Sequence, residues 1–215
     1  MSVREDILAR IRRQQGRTGA PSDTERAAVE DIIAARAIGP RPAVTGDLAA
    51  RFRARAEALA STVAEVAALA DVPAAAAAYL RAGGLPMSGV VVGDLANLDW
   101  KAAGLFLEAR RAADQDAVGI SGVFCAIAET GTLMLVSGAG SAASASLVPE
   151  THIAVVPVSR IVTYMEDGFS RARAELGELP RAVNFISGPS RTADIEQTVV
   201  MGAHGPYRVH VILVR

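Results

Sequence analysis

A single cysteine, Cys125, in 215 residues excludes an intrachain disulfide framework and any cysteine-rich cluster site. Its neighbours Val123, Phe124, Ala126 and Ile127 are apolar, so it reads as a buried structural thiol. Aromatic residues make up only 4% of the chain although 51% is hydrophobic, so the core is packed from alanine, valine and other small side chains. Neither sign of charge dominates. With 22 basic against 23 acidic residues and a formal net charge of -1, no basic excess recommends nucleic acid and no acidic excess suggests a solvating tail. Long apolar runs are missing too. The longest uncharged apolar stretch, residues 118–128, is well short of the roughly 20 residues that span a bilayer. The first residues, Met1 to Asp6, carry both charge signs and lead into no apolar segment, so no secretory signal is expected. The chain is expected to be cytoplasmic, with no membrane span.

What is present alternates between two periodicities. Val3, Ile7, Leu8 and Ile11 recur at helical spacing, which predicts an amphipathic helix over 3–15. Residues 23–38 read as a second helix or a partly ordered arm, ended by Gly39-Pro40-Arg41-Pro42. A third helix is expected over 47–60, with Leu48, Phe52 and Leu59 inward. Residues 62–66 alternate at period two, 72–81 form an alanine-rich helix with Pro73 in its first turn, and 88–93 form an apolar strand of the kind covered on both faces. Strand, helix, strand at this spacing is a βαβ unit with a parallel sheet. Residues 105–113 suggest a short helix. Two apolar runs, 123–128 and 132–137, flank Glu129-Thr130-Gly131 at hairpin spacing, so an antiparallel pair lies inside or beside the parallel sheet. Residues 152–158 are a buried strand, 161–176 a helix broken at Gly168, and 182–186 and 207–214 further strands. The reading is therefore a mixed α/β protein: a helical extension over 1–60 and an α/β domain over 61–215.

The chemistry concentrates late in the chain. After the strand ending at Ile186, Gly188-Pro189 forces a turn. Ser190 and Thr192 are both good N-caps for a helix from about Asp194. The free amides of such a helix start could hold an anion, with Arg191 as a bidentate partner. Asp194 and Glu196 suit the helix dipole but would repel an anion unless paired with Arg191 or turned to substrate hydroxyls. Met201 to Pro206 is a glycine-framed loop containing His204. Gly138-Ala139-Gly140-Ser141-Ala142-Ala143 formally fits a dinucleotide-binding fingerprint, but Pro149 cuts the following helix short and the next strand ends in Ser159-Arg160, so that reading fails its context test.

Four segments carry a resemblance: Ala128-Glu129-Thr130-Gly131-Thr132-Leu133, Pro149-Glu150-Thr151-His152-Ile153, Ile186-Ser187-Gly188-Pro189-Ser190-Arg191-Thr192-Ala193-Asp194-Ile195-Glu196, and Gly202-Ala203-His204-Gly205-Pro206. Together they resemble the LUD domain family, also called DUF162, over roughly residues 85–215. The resemblance implies an α/β fold of the NagB/RpiA/CoA-transferase-like group. It also implies a role in oxidising L-lactate to pyruvate beside partner subunits that carry iron–sulfur clusters, none of which this chain would hold itself. CoA-transferase-like enzymes use a glutamate followed by a small residue and glycine as nucleophile, and Glu129-Thr130-Gly131 is loosely similar.

Each candidate has a plainer alternative. Glu129 is a candidate acid, base or nucleophile, or a carboxylate that fixes its own hairpin. His152 at the start of a strand and His204 in its loop are candidate catalytic imidazoles, while His210 shares a strand face with Ile212 and reads as a core histidine. Ser187, Gly188, Ser190, Arg191, Thr192, Asp194 and Glu196 are the candidate ligand-binding residues, or no more than a turn and a helix cap. Three histidines with no i,i+4 pair, beside scattered carboxylates, are a weak metal signal, and no metal site is assigned. Three functions stand: a lactate-utilisation subunit binding a small organic acid or phosphate-bearing ligand, an acyl-CoA transferase-like enzyme with Glu129 as nucleophile, or a non-catalytic docking subunit. Whether copies form a homo-oligomer is left open.

Overall fold

The computed structural model describes residues 2–17, 20–138, 143–192 and 200–215. They fall into two compact units, residues 1–42 and 43–215. The first unit holds two helices, α1 (Val3–Gln14) and α2 (Asp23–Ala35). Each opens on a reciprocal cap: Ser2 with Glu5, and Ser22 with Glu25, satisfying amides that a helix start leaves unpaired. Neither helix buries a residue.

The second unit begins with α3 (Leu48–Ala58), whose Asp47 cap accepts from Ala50 N at 2.7 Å. Then come β1 (Thr62–Val66), α4 (Val72–Ala82), β2 (Ser88–Val91), β3 (Phe106–Ala109) and β4 (Val118–Gly122). The chain continues through β5 (Cys125–Ile127), β6 (Thr132–Val136), α5 (Ser144–Leu147), β7 (Thr151–Pro157) and β8 (Ile161–Val162). It closes with α6 (Met165–Leu176), β9 (Val183–Ile186), β10 (Arg191–Thr192), β11 (Val200–Met201) and β12 (Arg208–Val214). Among the described residues no helix is long and apolar enough to cross a membrane.

The central sheet has the order β1-β12-β7-β4-β2-β3 and is parallel at every pairing. Its strands are apolar on both faces because both faces are covered. On one face Ile153, Val155, Ile212 and Val214 pack with Ala76, Ala77 and Leu80 of α4. On the other, Ala154, Val156, Val211 and Leu213 pack with Phe52 and Ala56 of α3 and with the hairpin strands. Gly119 matters here. A Cβ on it would lie 2.0 Å from the Ala145 carbonyl oxygen, so glycine lets α5 press directly on β4.

The hairpin lies beside this sheet, in a second one of order β8-β5-β6-β9. Two expected elements differ. Residues 105–113 contain the edge strand β3 rather than a helix: Leu, Glu and Ala favour a helix locally, but pairing of Phe106 to Ala109 with Ser88 to Val91 decides. Residues 161–176 split into β8 and α6, because Ile161 and Val162 pair with Ala126 and Ile127. Gly168 does not break α6. It sits inside the helix, where a Cβ would meet Met134 Sδ at 2.9 Å and Cys125 Sγ at 3.2 Å. The helix expected from about Asp194 lies within residues 193–199, outside the described residues. The capping roles expected of Ser190 and Thr192 rest on that same segment and lie outside the described residues with it; just before it, Arg191 and Thr192 pair antiparallel with Met201 and Val200. The strands on either side of α4 are parallel as expected, yet β12, β7 and β4 lie between them.

Candidate functional site

The sequence-predicted residues gather mainly at the end of the sheet where its strands begin. The hairpin tip and the turn after β9 meet there: Thr130 Oγ1 lies 2.8 Å from Thr132 Oγ1, and Thr132 Oγ1 lies 2.7 Å from Ser187 Oγ. Both segments press on the end of α3. Gly131 and Gly188 have φ of 71° and 82°. A Cβ would come within 2.5 Å of Ala56 N at the first and 2.2 Å of Leu59 O at the second. Arg191 Nη2 donates to that same Leu59 carbonyl at 2.9 Å. Ser190 ties the turn to the histidine loop. Its amide donates to Pro206 O, its carbonyl accepts from Gly202 N, both at 2.9 Å, and its hydroxyl oxygen accepts from His204 N at 3.4 Å. Glu129 is half-buried at the hairpin tip, its amide donating to Thr163 O at 3.0 Å, and its carboxylate has no hydrogen-bond partner among the described residues. Asp194 and Glu196 lie outside the described residues.

His152 stands apart from this cluster. It is fully buried in β7, on the sheet face that carries Ala154. The Ser121 hydroxyl lies 2.9 Å from its Nε2, and its Nδ1 has no partner among the described residues. Burial pulls the imidazole down to a pKa of about 4, so the ring is neutral near pH 7. His210 occupies the opposite face with Ile212. It is bonded to Thr62 Oγ1 at 2.7 Å, stacked on Tyr79 at a centroid distance of 3.9 Å, and drawn to about 4 by burial as well.

Two sizeable concavities lie at the other end of the sheet, where the strands finish. The chain leaves β2 outward to β3 and leaves β4 inward toward β7. Neighbouring strands whose connections diverge open a crevice between them, the usual ligand position in open α/β sheets. Two cavities, of about 410 and 760 Å³, share Val92, Gly93 and Asp94 as a common wall. Gly93, with φ of 70°, turns the chain out of β2 where a side chain would be strained.

The two cavities differ in character. The smaller is walled by Leu69, Leu95, Val123, Phe124, Leu135 and Val155, and includes Ser121, whose hydroxyl is engaged by His152. The larger is lined by Arg110, Arg111 and Arg181, with Ser137, Gly138 and Ala143. Arg110 is committed to the protein. Its guanidinium grips both oxygens of buried Asp116 at 2.7 and 2.8 Å and donates to Glu108 at 2.8 Å. That grip holds the Asp116 carboxyl below the usual range and fixes the 110–116 loop. Arg111 and Arg181 are exposed and have no carboxylate partner among the described residues. A planar guanidinium without a partner suits a carboxylate or phosphate. Among the described residues no three His, Cys, Asp or Glu side chains gather as metal ligands would.

Sequence reading missed the residues of this crevice. Arg110-Arg111 and Val92-Gly93-Asp94 follow strands directly, but their meeting depends on strand order.

Fold and crevice together define an open parallel-sheet α/β protein carrying a second, mostly antiparallel sheet. The LUD domain family model matches residues 49–214, and the chain belongs to that family. It is 44% identical over 105 residues to lactate utilization protein C of Halalkalibacterium halodurans, covering 47% of this chain and 46% of that protein. It is 41% identical over 105 residues to lactate utilization protein C of Bacillus subtilis, covering 47% and 44%. The chain thus spans less than half the length of these relatives. A crystal structure of a DUF162 family protein from Deinococcus radiodurans superposes with a TM-score of 0.59 at 25% identity, covering 81% of this chain and 100% of that one.

Proposed function

We propose that this chain serves L-lactate utilisation by binding a small organic acid, or a phosphate-bearing ligand, at the crevice where the parallel strands end. One observation carries the site: Arg111 and Arg181 line the same cavity without a carboxylate partner among the described residues. The pathway is supported by the likeness to lactate utilization protein C. The chain would support oxidation of L-lactate to pyruvate beside subunits that carry iron–sulfur clusters. Those subunits would meet its N-terminal helices, where Val3, Ile7, Val29, Ile32 and Ile33 face solvent. Deleting the gene is expected to abolish growth on L-lactate and spare growth on glucose, and a copy with Arg111→Ala and Arg181→Ala is expected not to restore it. Normal growth of the deletion strain on L-lactate would remove the reading.

A second reading keeps Glu129 as the nucleophile of an acyl-CoA transferase-like enzyme, favoured by a half-buried carboxylate without a hydrogen-bond partner among the described residues. Phe124 lines the crevice just before β5, and β5 runs from there toward the hairpin tip, so this chemistry would occur away from the arginines. Hydroxylamine trapping of a Glu129 acyl adduct across a panel of acyl-CoAs separates the readings; no adduct leaves only the first.

A further inference from the structure

The crevice is far larger than a three-carbon acid requires. Cavities of roughly 300–1,000 Å³ enclose ligands of drug or cofactor size, and here two such spaces, of about 410 and 760 Å³, meet along one wall. Their chemistry is divided. Cationic side chains without carboxylate partners line only the larger, through Arg111 and Arg181. The smaller is an apolar chamber, and its buried polar group, the Ser121 hydroxyl, is already engaged by His152 Nε2 at 2.9 Å. A ligand entering that chamber gains by removing apolar surface from water and finds little new hydrogen bonding. Asp94, on the shared wall, is exposed and anionic. A carboxylate there would repel a second negative group at the seam and is an acceptor for a ligand hydroxyl.

We infer that the ligand of this crevice is an amphiphilic organic acid, with its anionic head at Arg111 and Arg181 and an unbranched apolar tail in the chamber walled by Leu69, Val123, Leu135 and Val155. This rests on the anion-binding reading above and extends it from lactate to longer-chain relatives. The head fixes the ligand at the cationic end, and the tail sets which acid is preferred. Because burying one methylene is favourable by roughly 0.8 kcal/mol, each added carbon should tighten binding about four-fold until the chamber is filled.

The test is calorimetric titration of the full-length protein with straight-chain 2-hydroxy acids, from glycolate through lactate to 2-hydroxyoctanoate. The expected result is a stepwise rise in affinity with chain length, lost when the tail ends in a second carboxylate. Val123→Trp, which fills the chamber from a half-buried position, is expected to flatten the rise while glycolate binds as before. Leu69→Trp does the same from an exposed position if the first variant fails to fold. Arg111→Ala with Arg181→Ala is expected to weaken every member of the series by a similar factor. Affinity independent of chain length, with short acids still needing the arginines, would overturn the tail chamber and leave the anion site standing. A rise that persists in both tryptophan variants would overturn it equally. Failure of the unaltered protein to bind any member would remove the anion site itself.

Discussion

His152 and His210 sit on opposite faces of one sheet, and each is held neutral by the same cause. Burial disfavours the imidazolium, drawing both from an ordinary 6.5 to about 4. Above pH 6.5 both folded and unfolded chains keep neutral rings. Between 6.5 and 4 the unfolded chain takes up protons that the fold refuses, so stability falls as pH drops, by up to roughly 1.4 kcal/mol per pH unit for each ring. Asp116 and Glu175, depressed by Arg110 and Arg160 respectively, act in the same direction but lower on the scale. Their contribution is present above their unfolded values of 3.8 and 4.5 and is lost only at lower pH. The window from pH 6.5 to 5 therefore belongs to the histidines. Urea denaturation across that window should show a falling midpoint, and His152→Gln or His210→Gln should each remove part of the slope. A midpoint that does not move would mean the rings are reached by water.

At the scale of elements, the hairpin tip and the turn after β9 are latched onto the end of α3 by glycine. The chain passes Leu59 at Gly188 with no room for a methyl group, and the left-handed backbone there would strain any other residue. Gly188→Ala is expected to cost at least about 2 kcal/mol, a fall of roughly 4–8 °C in melting temperature. Gly39→Ala, with nothing within 4 Å of its added Cβ, should leave the melting temperature unchanged. An equal effect of the two would show that the latch does not hold the fold. The motif rich in serine and glycine that dominates the sequence is thus, in its described part, largely occupied with joining three elements. Arg191 illustrates this: the guanidinium expected to meet a ligand donates to the Leu59 carbonyl.

At the scale of the molecule, the two compact units predict separable stability. Because α1 and α2 bury nothing and the family match starts at residue 49, a fragment of residues 43–215 should unfold cooperatively within a few degrees of the full chain in scanning calorimetry. A fragment that does not fold would contradict this. Much of the element list was legible in sequence. Apolar spacing and Gly/Pro breaks gave α1 to α4, and continuous Val/Ile runs announced strands covered on both faces, because those signals are local. What failed was local evidence outvoted by partners: Phe106 to Ala109 became strand by pairing with β2, and Ile161-Val162 by pairing with β5. The sequence by itself determined a mixed α/β chain of the LUD domain family with a small-residue core, since composition, period and motif are written along one dimension. Tertiary structure alone decided that β4 and β2 are neighbours, and so that Asp94, Ser121, Arg111 and Arg181 share a crevice. Strand order brings distant segments together through packing on both sheet faces, and no single segment carries that information.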